Sequence, residues 1–361
     1  MTIIQRENTK LMGHETRVNT LCSMMTYKRK AGSLSERKFI QKYIKPLPGA
    51  NQDDYGNWIV RVGDSAVMYS CHTDSVHRED GKQQLKLTAN MLTLAAARHQ
   101  CLGADDAAGV WIMREMVLAK KPGLYVFHRD EESGGKGSTY IAESAQDTVK
   151  GIKAAIAFDR RGKSDVITHQ AGGRCSSDAF ADSLATQLGG SYRKSSGGIF
   201  TDTANYTDLI GECTNISVGY DHEHTALECL DVEHIQKVRH AMLNLDESKL
   251  VFSRKPGEVD ESYRQYSSYG YAGYDDSYGG GAYDEDQDLW VKGDKVRKYE
   301  GNHNSKYATG SDYERIVSLI KDNPREIADL LEEYGFSLED IRGEIYQRGG
   351  VIRSGSYGRH Y

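Results

Sequence analysis

The sequence contains no long run of basic residues and no Cys-x-x-Cys pair. Because a nucleic-acid-binding surface needs clustered Lys and Arg, we expect no nucleic-acid partner. No apolar run is long enough to cross a bilayer, and the N-terminal stretch MTIIQRENTK lacks the apolar core of a signal peptide, so we expect no membrane association. The six scattered cysteines indicate reduced thiols in a cytoplasmic protein rather than a disulfide scaffold or a cysteine zinc site.

The 361 residues carry a formal net charge of −6 and can bury a full core. Up to about residue 250, short apolar runs alternate with helical patterns, which predicts an α/β fold with a mixed, mostly parallel central sheet flanked by helices. The runs at 57–63 and 65–72 are predicted to be neighbouring strands joined by a Gly-Asp turn. Three further runs have the length and composition of buried central strands, namely 124–128, 154–158 and 215–219.

The composition divides the chain into four parts. Residues 1–255 form the predicted α/β domain, and 256–310 form a predicted flexible linker, because the stretch 262–286 contains no Leu, Ile, Val, Phe or Met and cannot build a core. Residues 311–348 are predicted to form a small helical appendage, whose partner is unknown, and residues 349–361 are predicted to form a disordered tail.

A histidine or a carboxylate directly follows each of five strand-like or turn segments in the α/β part of the chain. These residues are His72 with Asp74, Asp105 with Asp106, Glu131 with Glu132, Asp159, and His222 with His224. In open α/β sheets, ligands bind beyond the carboxyl ends of the strands, so we expect these side chains to converge on one crevice. So many carboxylates would repel one another unless cations lay among them, and His nitrogen with carboxylate oxygen suits zinc, with cobalt or manganese as substitutes.

Each of these groups also has an ordinary interpretation when it is taken alone. His72 could be a hydrogen-bonded histidine at a strand end, and the Asp105–Asp106 pair could cap a helix. Glu131 and Glu132 could form a solvated acidic loop before GGKGST, a stretch that lacks the spacing of a phosphate-binding loop. Their joint occurrence, in order along the chain, favours a metal site.

Seven motifs together resemble the dinuclear zinc exopeptidase superfamily over roughly residues 50–245: DDYGNWIVRVG, HTDSV, GADDAAGV, DEESGGKGS, AFDRRG, GGIFTDTANY and HTALECLDVEHI. The resemblance implies the zinc exopeptidase fold and two divalent metal ions, zinc above all. The stretch between Asp159 and His224 is too short for the lid domain of carboxypeptidase-type members, so the single-domain aminopeptidase and tripeptide aminopeptidase-like members are the better match.

The resemblance also implies a role for each matching residue. One metal would be held by His72 and Asp159, the other by Glu132 and His224, and Asp105 would bridge them through a turn with a cis peptide to Asp106. Asp74 would orient the imidazole of His72, and Glu131 would be the general base.

Two assignments stay open at this point. Tyr206 and His222 are candidates for stabilising the oxyanion, although both could equally be packing or surface residues. His222 also competes with His224 as a metal ligand, and we prefer His224 because HTALE matches the family motif.

These observations predict a cytoplasmic metallo-exopeptidase, most simply an aminopeptidase that hydrolyses short peptides through a water bridging two zinc ions. A carboxypeptidase or an N-acyl amino-acid deacylase would use the same site. A structural or partner-binding protein with a vestigial site is the alternative from a different class. A homo-oligomer is compatible with the sequence.

Overall fold

The computed structural model describes residues 17–96, 100–259, 282–284 and 289–291, together with Lys321 and Pro324. Residues 17–25 form helix α1. The other helices of the α/β part are α2 (Leu34–Tyr43), α3 (Ala104–Leu118), α4 (Lys136–Ser144), α5 (Asp178–Leu188) and α6 (Val232–Asn244), with 3₁₀ turns at Gln146–Val149, Asp202–Tyr206 and Glu247–Lys249.

Fourteen strands lie between or beside these helices within residues 17–259. They are β1 (Asn51–Gln52), β2 (Trp58–Val62), β3 (Val67–His72), β4 (Leu85–Thr88), β5 (Met91–Leu94), β6 (Gly123–His128), β7 (Ala154–Arg160), β8 (Asp165–Ile167), β9 (His169–Gln170), β10 (Gly173–Arg174), β11 (Arg193–Ser195), β12 (Glu212–Ser217), β13 (Tyr220–Asp221) and β14 (Cys229–Asp231). Eight of them form the main sheet in the order β1-β2-β6-β3-β7-β12-β8-β11, and β13-β14-β5-β4 form a smaller antiparallel sheet.

The centre of the main sheet is parallel, as predicted. Strands β6, β3, β7 and β12 run in one direction, while β2 and β8 pair antiparallel with their inner neighbours. In the register of β3 with β6, His72 lies opposite His128. The carboxyl ends of the four central strands therefore meet at one edge of the sheet. His72 and Asp159 lie at the ends of β3 and β7, and the two glutamates follow β6, whereas Asp105 and Asp106 lie at the start of α3.

Each face of the sheet is covered by its own apolar core. Along β3, Val67, Tyr69 and Cys71 pack on the face that contacts α3, whereas Met68 packs with residues of β6 and α4 on the opposite face. This alternation follows from the two-residue period of a strand. Both faces of the central strands are buried, which explains the nearly continuous apolar runs of β6 and β7.

The prediction that residues 57–63 and 65–72 are neighbouring strands is wrong. Both strands exist as β2 and β3, but β6 lies between them and pairs with each. All six residues of β6 are buried, whereas β2 exposes Arg61, so the more apolar strand takes the inner position.

The C-terminal predictions fall largely outside the described residues. In the unit Asp260–Glu333, strands β15 (Ala282–Asp284) and β16 (Leu289–Val291) pair antiparallel within the predicted linker, and Lys321 and Pro324 are helical within the predicted appendage. The rest of the appendage and the tail at 349–361 are not among the described residues. Across the described ranges, no helix is both long and apolar enough to span a membrane, and all six cysteines are free thiols.

Candidate metal centre

His72 ends strand β3 and is almost fully buried. Its Nδ1 lies 3.5 Å from Asp74 Oδ1, and its Nε2 lies 2.9 Å from Asp105 Oδ1 and 3.6 Å from Asp159 Oδ1. An imidazole that donates its Nδ1 proton to a carboxylate presents the Nε2 lone pair to a metal. Asp74 thus lies on the Nδ1 side of the ring, although His72 Nδ1 makes no hydrogen bond within the described residues, and its orienting role stays a prediction.

Asp105 and Asp106 begin α3 with non-helical backbone angles, and the peptide between them is cis, as the resemblance implied. Asp106 accepts hydrogen bonds from the backbone nitrogens of His72 (3.2 Å) and Gly109 (2.8 Å). A Cβ at position 109 would lie 2.5 Å from Asp106 Oδ1, so the glycine leaves room for this carboxylate. Asp106 therefore ties the start of the helix to β3, while Asp105 is directed toward the histidines.

The loop after β6 carries the two adjacent glutamates. Asp74 accepts hydrogen bonds from the backbone nitrogens of both Glu131 and Glu132, each at 3.2 Å. Glu132 Oε1 lies 3.1 Å from His224 Nε2, whereas Glu131 lines the cleft described below. Asp74 thus positions this loop as well as His72, a second contact that the sequence did not indicate.

His224 completes the cluster from the loop between β13 and β14. Its Nε2 lies 3.1 Å from Asp105 Oδ2, so the two oxygens of Asp105 face two different histidines, His72 and His224. On the other side, the Tyr220 hydroxyl donates a 3.0 Å hydrogen bond to Asp159 Oδ1. Tyr220 was not among the predicted site residues, because a tyrosine near two histidines has no distinctive pattern in the sequence.

The protonation equilibria show how strongly these groups depend on one another. Burial lowers the pKa of His72, but its contacts with Asp105, Asp159 and Asp74 outweigh burial and raise it well above the ordinary value. Hydrogen bonds to Asp105 and Glu132 raise the pKa of His224 to about 11. Burial, together with the nearby charge of Asp105, raises the pKa of Asp159 to about 6. Protonated His72 and His224 can therefore offset the negative charge of the neighbouring carboxylates.

The donor set fits divalent metal ions. His72, Asp105 and Glu132 each offer a ligand atom, and these three atoms lie within 4.8 Å of one another; the same holds for His72, Asp106 and Asp159. Asp106 already accepts two backbone hydrogen bonds. Its carboxylate is therefore less available to a metal ion than the carboxylates of Asp105 and Asp159. Buried carboxylates this close together need positive charge between them, and nitrogen with oxygen donors suits zinc.

A cleft of about 170 Å³ opens beside this cluster. Its wall includes the acidic groups Asp105, Glu131, Asp159 and Glu223, and apolar side chains such as Phe200. A larger cavity of about 810 Å³ between α5 and α6 contains none of the predicted site residues. We therefore take the smaller cleft as the place where a substrate meets the cluster.

The two oxyanion candidates do not lie in this cleft. The Tyr206 hydroxyl is fully buried and hydrogen-bonded to His128 Nε2 at 2.7 Å, so it belongs to the core beneath the sheet. His222 is exposed and does not line the cleft, whereas His224 does. The geometry therefore favours His224 over His222 beside Glu132.

Residues 55–210 match the family model described as Peptidase family M28. The chain therefore contains a metallopeptidase domain, and its resemblance is to the dinuclear zinc exopeptidase superfamily. No curated protein matches this metallopeptidase in a sequence search.

Solved structures similar to the metallopeptidase agree on the fold. Aminopeptidase PepT from Bacillus cereus is 16% identical, with a TM-score of 0.52, over 65% of this chain and 98% of its own. A tripeptidase from Staphylococcus aureus is 13% identical, with a TM-score of 0.53, over the same shares. PhTET1-12s, described as a dodecamer, is 14% identical, with a TM-score of 0.50, over 63% of this chain and 97% of its own. At these identities the likeness concerns the fold, and it confirms the predicted fold class.

Proposed function

We propose that this metallopeptidase is an aminopeptidase that hydrolyses short peptides at a site holding two divalent ions, zinc in the first place. The observation that carries the proposal is the position of Asp105, whose two carboxylate oxygens lie 2.9 Å from His72 Nε2 and 3.1 Å from His224 Nε2. A carboxylate that lies between two histidine nitrogens could bind two metal ions at once. Asp159 would complete the first ligand set and Glu132 the second.

Two ions bound here would polarise the scissile carbonyl and make a water between them acidic enough to react near neutral pH. The chain's own residues then divide the remaining work. Glu131 takes a proton from the attacking water and passes it to the leaving amine. Burial raises the pKa of Glu131 to about 10, and bound cations would oppose that shift and favour the carboxylate that a base requires. Asp74 holds both the imidazole of His72 and the backbone of Glu131 in place.

The charge of the cleft supports a substrate with a free amino terminus. Glu131 faces the space beside the ligands, and an ammonium group is attracted to such a carboxylate. The two arginines of the cleft already have acidic partners, Arg160 with Asp165 and Arg161 with Glu223, both at 3.1 Å. Apolar side chains, including Ile199 and Phe200, would contact the substrate's side chain.

Arg160 and Arg161 also give a specific reason to keep a second candidate. An arginine beside a metal site can bind a carboxylate, which a carboxypeptidase or an N-acyl amino-acid deacylase would require. The acidic groups that line the cleft make this the second choice.

A comparison of blocked peptides tests the proposal. The metal-free chain is supplied separately with zinc, cobalt or manganese and given one tripeptide in three forms: free, N-acetylated and C-amidated. We expect the free and C-amidated forms to lose their first residue and the N-acetylated form to stay intact. Equal cleavage of the acetylated form would favour the deacylase or carboxypeptidase. A lack of hydrolysis with every metal, for a panel of tripeptides that varies the first residue, would contradict the proposal and favour a vestigial site.

Two further proposals concern the protein's surroundings. The six free cysteines suit a reducing compartment, and we propose the cytoplasm. Since PhTET1-12s is described as a dodecamer, we also propose a homo-oligomer, which a measurement of mass in solution can test.

A further inference from the structure

Two buried charged side chains hold the turn that carries Asp105, one from each side. Arg29 comes from the segment between α1 and α2, and Glu228 comes from the residue directly before β14. Both positions lie outside residues 55–210, the region that matches the family model, although Glu228 belongs to the motif HTALECLDVEHI. Neither side chain has a place in the ligand set or in the proton transfer proposed above.

Arg29 binds the carbonyl side of the turn. Its side chain is completely buried. Nε donates to Thr73 O at 3.0 Å, and Nη2 donates to Gly103 O at 2.7 Å and to Asp105 O at 3.4 Å. The guanidinium carbon lies 4.9 Å from the centre of the Phe39 ring, which anchors the group from α2. One arginine thus connects the segment after His72 with the turn before α3.

Glu228 binds the amide side of the same turn. It is 1% exposed; its Oε2 accepts a 2.8 Å hydrogen bond from Gly103 N, and its Oε1 accepts a 3.0 Å hydrogen bond from Asp105 N. Glu228 follows His224 by four residues, so its anchorage also limits how far the loop that carries His224 can move.

The turn itself is shaped for this arrangement. Gly103 adopts a φ of +71°, and a Cβ there would lie 2.6 Å from His77 Cε1, so no other residue fits without displacement. Burying charged groups is costly unless they are fully bonded. Here the acceptors of the guanidinium and the donors to the carboxylate are mainly backbone groups of residues 103–105, so these bonds are directed to fixing that backbone, while Arg29 Nη1 has no hydrogen-bond partner within the described residues.

We propose that Arg29 and Glu228 are positioning residues that clamp the turn at residues 103–105, and that this clamp holds the Asp105 carboxylate between His72 and His224. The clamp touches neither substrate nor metal and acts through Asp105. The inference rests on the proposed function in so far as Asp105 is a metal ligand.

The test compares this pair with a second buried pair of the same kind. Glu228→Gln removes one acceptor, and Arg29→Lys keeps the charge but loses the planar fork. Glu212 and Arg254 give matched controls, because Glu212 accepts hydrogen bonds from the Ser253 and Arg254 backbone nitrogens (both 2.8 Å), and Arg254 donates to Gly211 O (2.9 Å). Glu212 begins β12, at the end of the sheet opposite the metal centre.

Three quantities are measured for wild type, E228Q, R29K, E212Q and R254K. The first is the zinc dissociation constant, which is determined by competition with a chromophoric chelator. The second is the hydrogen–deuterium exchange of the metal-free protein, and the third is the melting temperature. We expect E228Q and R29K to bind zinc about 10- to 100-fold more weakly, as is typical when partners of metal ligands are lost. We also expect faster exchange in peptides that cover residues 103–109. The controls are expected to lose melting temperature while keeping wild-type zinc affinity and exchange in that segment.

Wild-type zinc affinity and unchanged exchange at 103–109 in both E228Q and R29K would overturn the clamp, whatever their melting temperatures. If E228Q does not fold, Glu228→Asp keeps the charge with a shorter reach and is judged by the same two readouts. If wild type binds no zinc, the proposed function fails. Exchange of the metal-free protein still decides whether the clamp exists, because that measurement needs no metal.

Discussion

Replacing Glu131 and Glu132 by Gln, one at a time, separates proton transfer from metal binding in two adjacent residues. Within the described residues, the Glu131 side chain has no hydrogen bond and lines the cleft, whereas Glu132 Oε1 lies 3.1 Å from His224 Nε2. Gln keeps the size of each side chain but cannot accept a proton at neutral pH. Glu131→Gln should therefore keep the metals and lose turnover, while Glu132→Gln should lose both.

The size of each effect follows from these positions. A positioned general base contributes about 10²- to 10⁴-fold to the rate, which corresponds to roughly 2.7 to 5.4 kcal/mol of activation free energy. Burial raises the pKa of Glu131 to about 10, so the folded metal-free protein disfavours the charged carboxylate. A neutral Gln removes that penalty, and we expect the melting temperature of metal-free Glu131→Gln to equal or exceed that of wild type.

The assay measures kcat on a tripeptide, metal content by elemental analysis, and the melting temperature of each variant. Asp130→Asn is a suitable control, because Asp130 precedes Glu131 but its carboxylate accepts a 2.7 Å hydrogen bond from the Tyr55 hydroxyl. This variant should keep the metals and most of the turnover. If Glu131→Gln retains turnover within a few-fold of wild type, Glu131 is not the general base. If Glu132→Gln keeps full metal content and affinity, Glu132 is not a ligand.

Three further outcomes are expected. Wild type purified without chelator should hold two divalent ions, and Asp105→Ala should lose most of both; a wild-type protein that binds at most one ion in excess zinc would refute the dinuclear site. A fragment ending at residue 259 should stay folded and active, since Arg254 donates to Glu258 O; activity lost with metal still bound would give the appendage a role in the site. Burial lowers the pKa of His128 to about 3, so the native state keeps it neutral while the unfolded chain takes up a proton below about pH 6.5, and the contribution of His128 to stability should fall by roughly 2 kcal/mol between pH 6.5 and 5. Urea unfolding of His128→Gln should show a smaller loss, and an equal loss would contradict this assignment.

The clustering of the proposed ligands could be predicted because short motifs and strand ends are local features of a chain. His72, Asp159 and the two glutamates each follow an apolar run, and parallel strands bring their carboxyl ends to one edge of the sheet. The family motifs then supplied the roles. Strand neighbours were harder to predict, because the pairing of β6 between β2 and β3 depends on which strand can be buried on both faces.

The sequence by itself determined the α/β class, the resemblance to the superfamily and most of the residues that meet at the candidate metal centre, since alternating apolar patterns and dense motifs require no knowledge of packing. Only the tertiary structure decided what holds those residues in place. Arg29 lies more than seventy residues before Asp105, and Glu228 more than one hundred after it, yet both bind the same turn. Hydrogen bonds from a side chain to a distant backbone leave no spacing or periodicity in the sequence. They exist only once the chain has folded and excluded water from both partners.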